Sequence, residues 1–525
     1  MGMDNSTGRS GLYPSVGHLL SDANACVAAN DINGALQRVL QFVQAVMRNP
    51  RTIAKIFADH SLDRFCQSVG ARVLAALPSA DIAPANATMA AGPVYLATEL
   101  YATGGHTAVL EDLLKSGCFP GPPTILLTNA RGSADLEAIR HRFASHGVNI
   151  ECAPDGNLES RLVWTLKRLQ MLRPTHLLLF NHHEDSVAVA AAQPGLAGQI
   201  IFHHHADHHL CLGVTLDYDL HVDPSPMGYH NCRDQLGVQD NVYWPLTVED
   251  RGAPALHHRT LTAGGALRTC SSGTRNKFEQ PYQFDYGSIV PRILEVTKGT
   301  HVHIGLLSES TLDRMAEGMR RAGVPAERLT YIEWVPSLWQ TMQDQHVDVY
   351  LGSFPVSGAR ATVEVLGSGT PVIAHQSYLS RFHGGEDMLY PEAFSWTTPD
   401  ELLTHLANLG PERVREEALW ARRRYEQSHT LDALRTAIHA GLDAPPPPPL
   451  RAYTADPLQT FLDDMEIVER ELVSVNSLHA EIGELRTELR HSREALSEIH
   501  ASRSWKLATT ICRLANKIRS YQVPL

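Results

Sequence analysis

The stretch DVYLGSFPVSGARATVEVLGSGTPVIAHQ, residues 348–376, sets small residues between an apolar run and a helix-forming one. Val347–Phe354 reads as a strand, Thr370–His375 as another, and ARATVEVLGSG between them as a short helix with glycines at both ends. A helix opening on Ser-Gly-Ala leaves its first N–H groups uncovered, and its dipole favours negative charge there. Arg360 and Thr362 fall in the first turn, where they can hold phosphate oxygens, and Glu364 can accept hydrogen bonds from ribose hydroxyls. The expected ligand on the helix start near Gly358 is a nucleotide diphosphate. The competing reading is a tight strand-to-helix turn with a surface Arg and a dipole-favoured Glu.

A second stretch, VYLATELYATGGHTAVLEDLL (94–114), reads as strand, glycine turn and helix. Gly104 and Gly105 allow close backbone approach, and His106 points toward whatever lies beyond the strand ends. Histidine titrates near neutral pH, so it can take a proton from a hydroxyl or steady a leaving group. Otherwise it is an exposed helix-start residue. In FHHHADHHLCLG (202–213), five histidines and Asp207 have the side chains of a metal site, but neighbours on a strand alternate sides and cannot converge. A polar loop at a strand end is the favoured reading, with structural histidines or a metal site as alternatives.

These stretches need a scaffold. At 525 residues the chain exceeds one hydrophobic core and predicts about three or four domains. Its 43% hydrophobic and 19% charged residues suit a soluble protein, and a net charge of −12 argues against nucleic-acid binding, which needs a basic footprint. Eight cysteines without a CxxC pair fit neither a disulfide framework nor a structural zinc site, which predicts reduced thiols in a cytoplasm. MGMDNSTGRSGLYPS lacks a basic-then-apolar segment, so no signal peptide is expected, and no apolar run approaches the roughly 20 residues of a membrane span.

Residues 1–90 predict a helical N-terminal domain, ending in the Pro- and Ala-rich linker LPSADIAPANATMAAG. Over 91–260, short apolar runs (PVYLATEL, PTILLTN, VNIECAP, THLLLFN, GQIIFHHH, YDLHVDPS, NVYWPLTV) alternate with helical stretches. Over 261–442 the rhythm repeats with GALRTCSS, HVHIGLLS, RLTYIEWV, VDVYLGSF and TPVIAHQ. The fold class is therefore α/β, with two tandem Rossmann-like domains whose strand ends face a shared cleft. Residues 443–462 contain the stiff spacer DAPPPPPL, and 463–525 read as a coiled coil followed by a basic amphipathic tail.

The pattern D-V-Y-L-x(5)-S-G-x(4)-V-E-V-L-G-S-G-T-P-V-I resembles the donor-binding segment of GT-B glycosyltransferases, most of all the O-GlcNAc transferase-like group. TCSSGTRNKFEQP (269–281) is similar to that family's short "N…K" loop, and EWVPSLW (333–339) to the loop that holds uracil through backbone groups. The resemblance covers roughly residues 93–420. It implies a donor site of Gly104, Gly105, Asn276, Lys277, Val335, Pro336, Gly358, Arg360, Thr362 and Glu364, with Lys277 on the diphosphate. His106 and Lys277 become the catalytic pair, and His204, His205, Asp207 and His208 the acceptor side. The expected reaction moves a sugar from a nucleotide sugar, UDP-linked, to a protein or bacterial surface-glycan acceptor, without metal or other cofactor. The chain departs from the family at Ala359, where a histidine is usual, and at Val356, where a paired-glutamate motif would need an acid. DYD (217–219) matches the metal motif of the unrelated GT-A fold, a three-letter match that chance supplies often. A degenerate scaffold protein and a GT-B-like epimerase are the rival functions.

Leu478, Ile482, Leu485, Leu489, Leu496 and Ile499 keep coiled-coil spacing, which predicts a homodimer through 478–499. Over 503–519, Arg503, Lys506, Arg513, Lys517 and Arg519 interleave with Trp505, Ile511 and Leu514, which predicts contact with an anionic membrane. SWKL (504–507) resembles the tails of bacterial envelope-glycan glycosyltransferases, which implies the inner face of a bacterial membrane. The plainer reading is a helix folded back on the catalytic domain.

Overall fold

The computed structural model describes residues 15–49, 52–78, 92–102, 104–253 and 266–454, with scattered positions between 478 and 505. The first sheet holds β1 (Val94–Ala97), β2 (Thr124–Leu127), β3 (Asn149–Cys152), β4 (His176–Phe180), β5 (Gln199–His203), β6 (Leu220–Asp223) and β7 (Asn241–Tyr243). Its order is β3-β2-β1-β4-β5-β6-β7, and every pairing is parallel. The second holds β8 (Arg268–Ser272), β9 (Thr300–Ile304), β10 (Leu329–Ile332), β11 (Val349–Leu351), β12 (Val372–His375) and β13 (Ser395–Trp396). It too is all-parallel, in the order β10-β9-β8-β11-β12-β13.

Both orders place the first strand inside the sheet and let the chain grow outward from it in both directions. That leaves a crevice at the carboxyl ends, between β1 and β4 and between β8 and β11. VYLA in β1 is buried at every residue, as expected where helices cover both faces of a parallel sheet. The covering helices start at side-chain caps: Asp185, Ser225, Asp285 and Ser308 each accept from a backbone N–H of the first turn.

The helices Val16–Ala28, Ile32–Arg48 and His60–Ala76 form a further layer on the first unit. They share one buried apolar cluster with the helices Leu158–Leu172 and Ser186–Ala191, so their core is not their own. At Gly70 a Cβ would sit 1.7 Å from the Ala190 carbonyl oxygen, which shows how closely the two backbones cross. Asp63, fully buried, clamps this layer by accepting from Gly213 N at 2.6 Å, Thr215 N at 2.9 Å and Thr215 Oγ1 at 2.7 Å.

After β13 the helix Pro411–Ser428 packs on the second unit, and Leu431–Ala440 returns to the first, burying Leu434 and Ala437 beside Tyr95 and Ile125. The proline-rich stretch does not stand off as a free spacer. Arg451 N donates to Asp387 Oδ1 at 2.7 Å, and Thr454 Oγ1 to Gln376 Oε1 at 2.9 Å. Prolines make no helix or ladder bonds, so the chain after them offers its backbone to side chains of the second unit.

Residues 462–525 form a separate compact unit. In it Leu478, Ile482, Leu485, Leu489 and Leu496 are helical, each roughly half exposed. Ile499 and the basic tail residues Arg503, Lys506, Arg513, Lys517 and Arg519 lie outside the described residues. Among the described residues no helix is long and apolar enough to cross a membrane.

Candidate active-site cleft

Segments that follow β1, β5, β6, β8, β10, β11 and β12 line one cavity of about 760 Å³ between the two Rossmann-like units. From the first unit come Gly104, Gly105, His106, His205, Asp207 and His208. From the second come Lys277, Val335, Pro336, Gly358, Arg360 and Glu364. Residues spread over more than 250 positions of sequence thus meet in one place because both switch points open on the same gap.

The second unit supplies positive charge. Lys277 is drawn out of water, and burial pulls its ammonium down to about 8. Its Nζ donates to the Ser357 carbonyl at 2.6 Å, and among the described residues no carboxylate pairs with it. A lysine in that state gains from a negative ligand. The helix Arg360–Gly367 begins beside it, with Ala359 at the cap and no side chain bonded to the exposed N–H groups. Arg360 reaches Glu364 Oε1 at 3.4 Å and, across the cleft, Asp112 Oδ2 at 3.3 Å. Glu364 is partly committed: its Oε2 accepts from Leu338 N at 2.9 Å and Trp339 N at 3.2 Å, capping the helix Leu338–Asp344. Only Oε1 is left to turn toward a ligand.

The first unit supplies neutral imidazoles. Gly104 takes φ of 122°, a conformation open to glycine and strained for other residues, and starts the helix Gly105–Ser116. Gly105 faces the second unit, and a Cβ on it would meet Arg360 Cβ at 3.8 Å. His106 stacks on His205 with ring centroids 4.0 Å apart. Its Nε2 lies 3.2 Å from the Phe180 carbonyl and must carry the proton to bond it, leaving Nδ1 as the acceptor. Nδ1 is buried and has no hydrogen-bond partner among the described residues. Burial pulls His106 down to about 4, so the ring is neutral at neutral pH.

Three assigned residues stand away from the cavity lining. Asn276 is exposed, and its carboxamide oxygen accepts from Thr274 Oγ1. Thr362 turns back along its helix to donate to the Gly358 carbonyl. His204 is fully buried and lies beside Asp223, because successive side chains at a strand end face opposite ways and His205 already takes the cleft side.

Other cleft residues escaped the sequence reading. Trp334, 62% exposed, stands at the lining beside Val335; it lay inside a quoted motif, but nothing in the motif distinguishes an exposed tryptophan from a core one. Ser225 lines the cleft and donates to Asp207 Oδ2, which fixes that carboxylate. Its signal was Ser-Pro directly after a strand. His383 stands outside the lining, next to Phe382, which belongs to it. It is buried, neither ring nitrogen has a hydrogen-bond partner among the described residues, burial and nearby cations pull it down to about 3, and it had no local signal at all.

No family model and no curated protein matches the sequence. Solved structures match in shape. Anabaena HepE, in complex with UDP-glucose, is 12% identical, with TM-score 0.50 over 67% of this chain and 100% of its own. A glycosyltransferase from Rickettsia africae is 9% identical, with TM-score 0.51 over 67% of this chain and 99% of its own. An O-GlcNAc transferase from Thermobaculum terrenum is 13% identical over 81% of this chain and 82% of its own, at TM-score 0.45, a likeness too loose to weigh. At such identities likeness speaks for the fold alone. With two parallel sheets of matching order opening on one cleft, the chain has the GT-B fold.

Proposed function

We propose that the protein is a glycosyltransferase that moves a sugar from a UDP-linked donor to a protein or bacterial surface-glycan hydroxyl. The observation that carries this is Lys277, a half-buried cation with no carboxylate partner among the described residues, set beside an uncapped helix start in the cleft. Its charge calls for an anion, and a diphosphate fits the site chemically. HepE, of the same fold, is described in complex with UDP-glucose.

In this reading the diphosphate lies on Lys277 and the amides after Gly358, and Arg360 turns from Asp112 to the phosphates. The uracil rests against the backbone at Val335 and Pro336, and the ribose faces Glu364 Oε1. As the bond from the sugar to the diphosphate breaks, Lys277, Arg360 and the helix amides take up the growing negative charge, which is usually the largest catalytic contribution. They supply the charge a divalent ion would, so transfer needs no metal. His106 Nδ1 accepts the proton of the attacking hydroxyl. A pKa near 4 makes it a weak base alone, but an adjacent diphosphate favours the charged imidazolium and raises it. His205, Asp207 and His208 face the acceptor.

The helical seam at 478–499 pairs two copies of the chain, and 503–519 holds the enzyme peripherally on the inner face of a bacterial membrane. A scaffold reading has one observation in its favour, the partial commitment of Glu364 to capping. Calorimetry with UDP, followed by a UDP-sugar hydrolysis assay, separates them: a transferase binds UDP and releases it slowly from a UDP-sugar, and a scaffold does neither. For the tail, full-length protein is expected to float with anionic vesicles and a chain ending at Pro449 is not; equal flotation rejects the tether.

A further inference from the structure

Beneath the first wall of the cleft, four side chains with no part in the donor site converge on one point. His204 follows β5, His221 and Asp223 share a face of β6, and Cys232 comes from the helix Pro226–Asp234. All are buried, and His204, Asp223 and Cys232 show no exposed surface. Asp223 Oδ1 lies 3.1 Å from His204 Nδ1, 3.3 Å from His221 Nε2 and 3.3 Å from Cys232 Sγ. Cys232 Sγ is in turn 3.3 Å from His204 Nδ1, and the four atoms all lie within 4.8 Å of one another.

Hydrogen bonds alone satisfy this cluster poorly. Asp223 Oδ1 would have to accept from three donors at once, although a carboxylate oxygen offers two lone pairs. Its other oxygen is already taken by Asn241 Nδ2 at 2.7 Å. His204 Nδ1 and Cys232 Sγ, in contact, would both have to present protons to the same acceptor. A cation at the centre removes the conflict by turning every inward atom into a lone-pair donor.

The spacing also fits. Tetrahedral zinc with bonds of about 2.0–2.3 Å puts its ligand atoms about 3.3–3.8 Å apart, close to the separations here. One thiolate, two imidazoles and one carboxylate are zinc ligand types, and four protein ligands close the shell to water and substrate. Asn241, on β7, holds the outer carboxylate oxygen and so orients the inner one, the usual task of a residue behind a metal ligand.

We propose that His204, His221, Asp223 and Cys232 bind one structural zinc ion that ties the ends of β5 and β6 to the helix Pro226–Asp234. Pro224, Ser225 and Met227, which lie between two of these ligands in sequence, line the cleft, so the ion holds that part of the wall in place. This site is separate from the chemistry in the cleft and does not depend on the glycosyltransferase reading.

The test is metal content of untagged full-length protein, grown with zinc and measured by plasma mass spectrometry. About one zinc per chain is expected. Cys232→Ser and His221→Ala lose it. Cys270→Ser, a buried thiol of the second unit, and the double change His208→Ala with His209→Ala keep it. Replacement by Co²⁺ gives a near-ultraviolet thiolate-to-cobalt band that Cys232→Ser lacks. Should the ligand variants fail to fold, the wild-type measurements still decide. Wild-type protein with well below one zinc per chain after incubation with Zn²⁺ and desalting overturns the proposal. So does zinc that survives both ligand changes, or that disappears with His208 and His209.

Discussion

The two walls of the cleft are built on the same strand order but carry contrasting side chains. The second-unit wall concentrates positive charge: Lys277, with no carboxylate partner among the described residues, Arg360 and an uncapped helix start. The first-unit wall packs imidazoles against each other, and burial keeps His106 and His182 neutral, at about 4 and about 2. The same backbone geometry thus presents charge on one side and neutral proton acceptors on the other. The difference lies in the side chains at the strand ends, not in the sheets. In the proposed reading the charged wall takes the phosphates and the imidazole wall takes the proton.

The sharpest way to break that division is at His106. His106→Ala is expected to lower turnover about 10²–10⁴-fold, the usual share of general acid–base catalysis, with UDP affinity unchanged. A variant that loses UDP binding equally would merge the two walls into one site.

The counterpart on the opposite wall is Lys277→Ala. UDP binding is expected to weaken by about 1.5–3 kcal/mol, the worth of a hydrogen bond to a charged group, while the melting temperature holds. Unchanged affinity by calorimetry would leave the second wall without its main cation.

The pH dependence of binding sharpens the point. Lys277 is charged below about 8 and neutral above it, so UDP affinity of the free protein is expected to fall as pH rises through 8. Lys277→Arg removes that alkaline fall, because a guanidinium stays protonated. A profile flat to pH 10 in the wild type would contradict it.

A brief EDTA treatment is expected to leave transfer at its original rate, and added Mg²⁺ or Mn²⁺ to leave it there too. A rate restored only by the divalent ion would move charge neutralisation from the protein wall to a metal.

The smallest effect is at the contact between the walls. Burial raises Asp112 to about 6, against the lowering pull of Arg360. The native state then holds a proton between about pH 4 and 6 that the unfolded chain has lost, so this group adds stability as pH falls through 6. Asp112→Asn is expected to flatten that part of the stability profile by about 1 kcal/mol per pH unit in urea melts. An identical profile would mean the carboxyl is not perturbed.

Much of the scaffold could be read from local pattern. Twelve strands coincide with the apolar runs, because helices cover both faces of a parallel sheet and its inner strands favour apolar side chains, as in β1 and β4, while the edge strands β3 and β10 are only half-buried. The thirteenth, Ser395–Trp396, is two residues long at a sheet edge and too short to leave a pattern. The glycine turn before His106 and the small residues before Arg360 were visible because backbone approach demands small side chains. Glu364 was read as a ribose ligand, and its capping of Leu338–Asp344 was invisible, since that helix start is 25 residues away in sequence.

By itself the sequence determined the tandem α/β order, the turn chemistry at the strand ends and most of the residues that meet in the cleft. These follow from periodicity and steric need, which act over a few neighbouring residues. Only the tertiary structure decided the rest. It turned His205 into the cleft and His204 away from it, left Lys277 without a carboxylate partner among the described residues, laid the N-terminal helices on the first sheet and brought Cys232 to His221 and Asp223. Each of these depends on which chain segments exclude water from one another, and burial and direction are properties of packing that no single stretch carries.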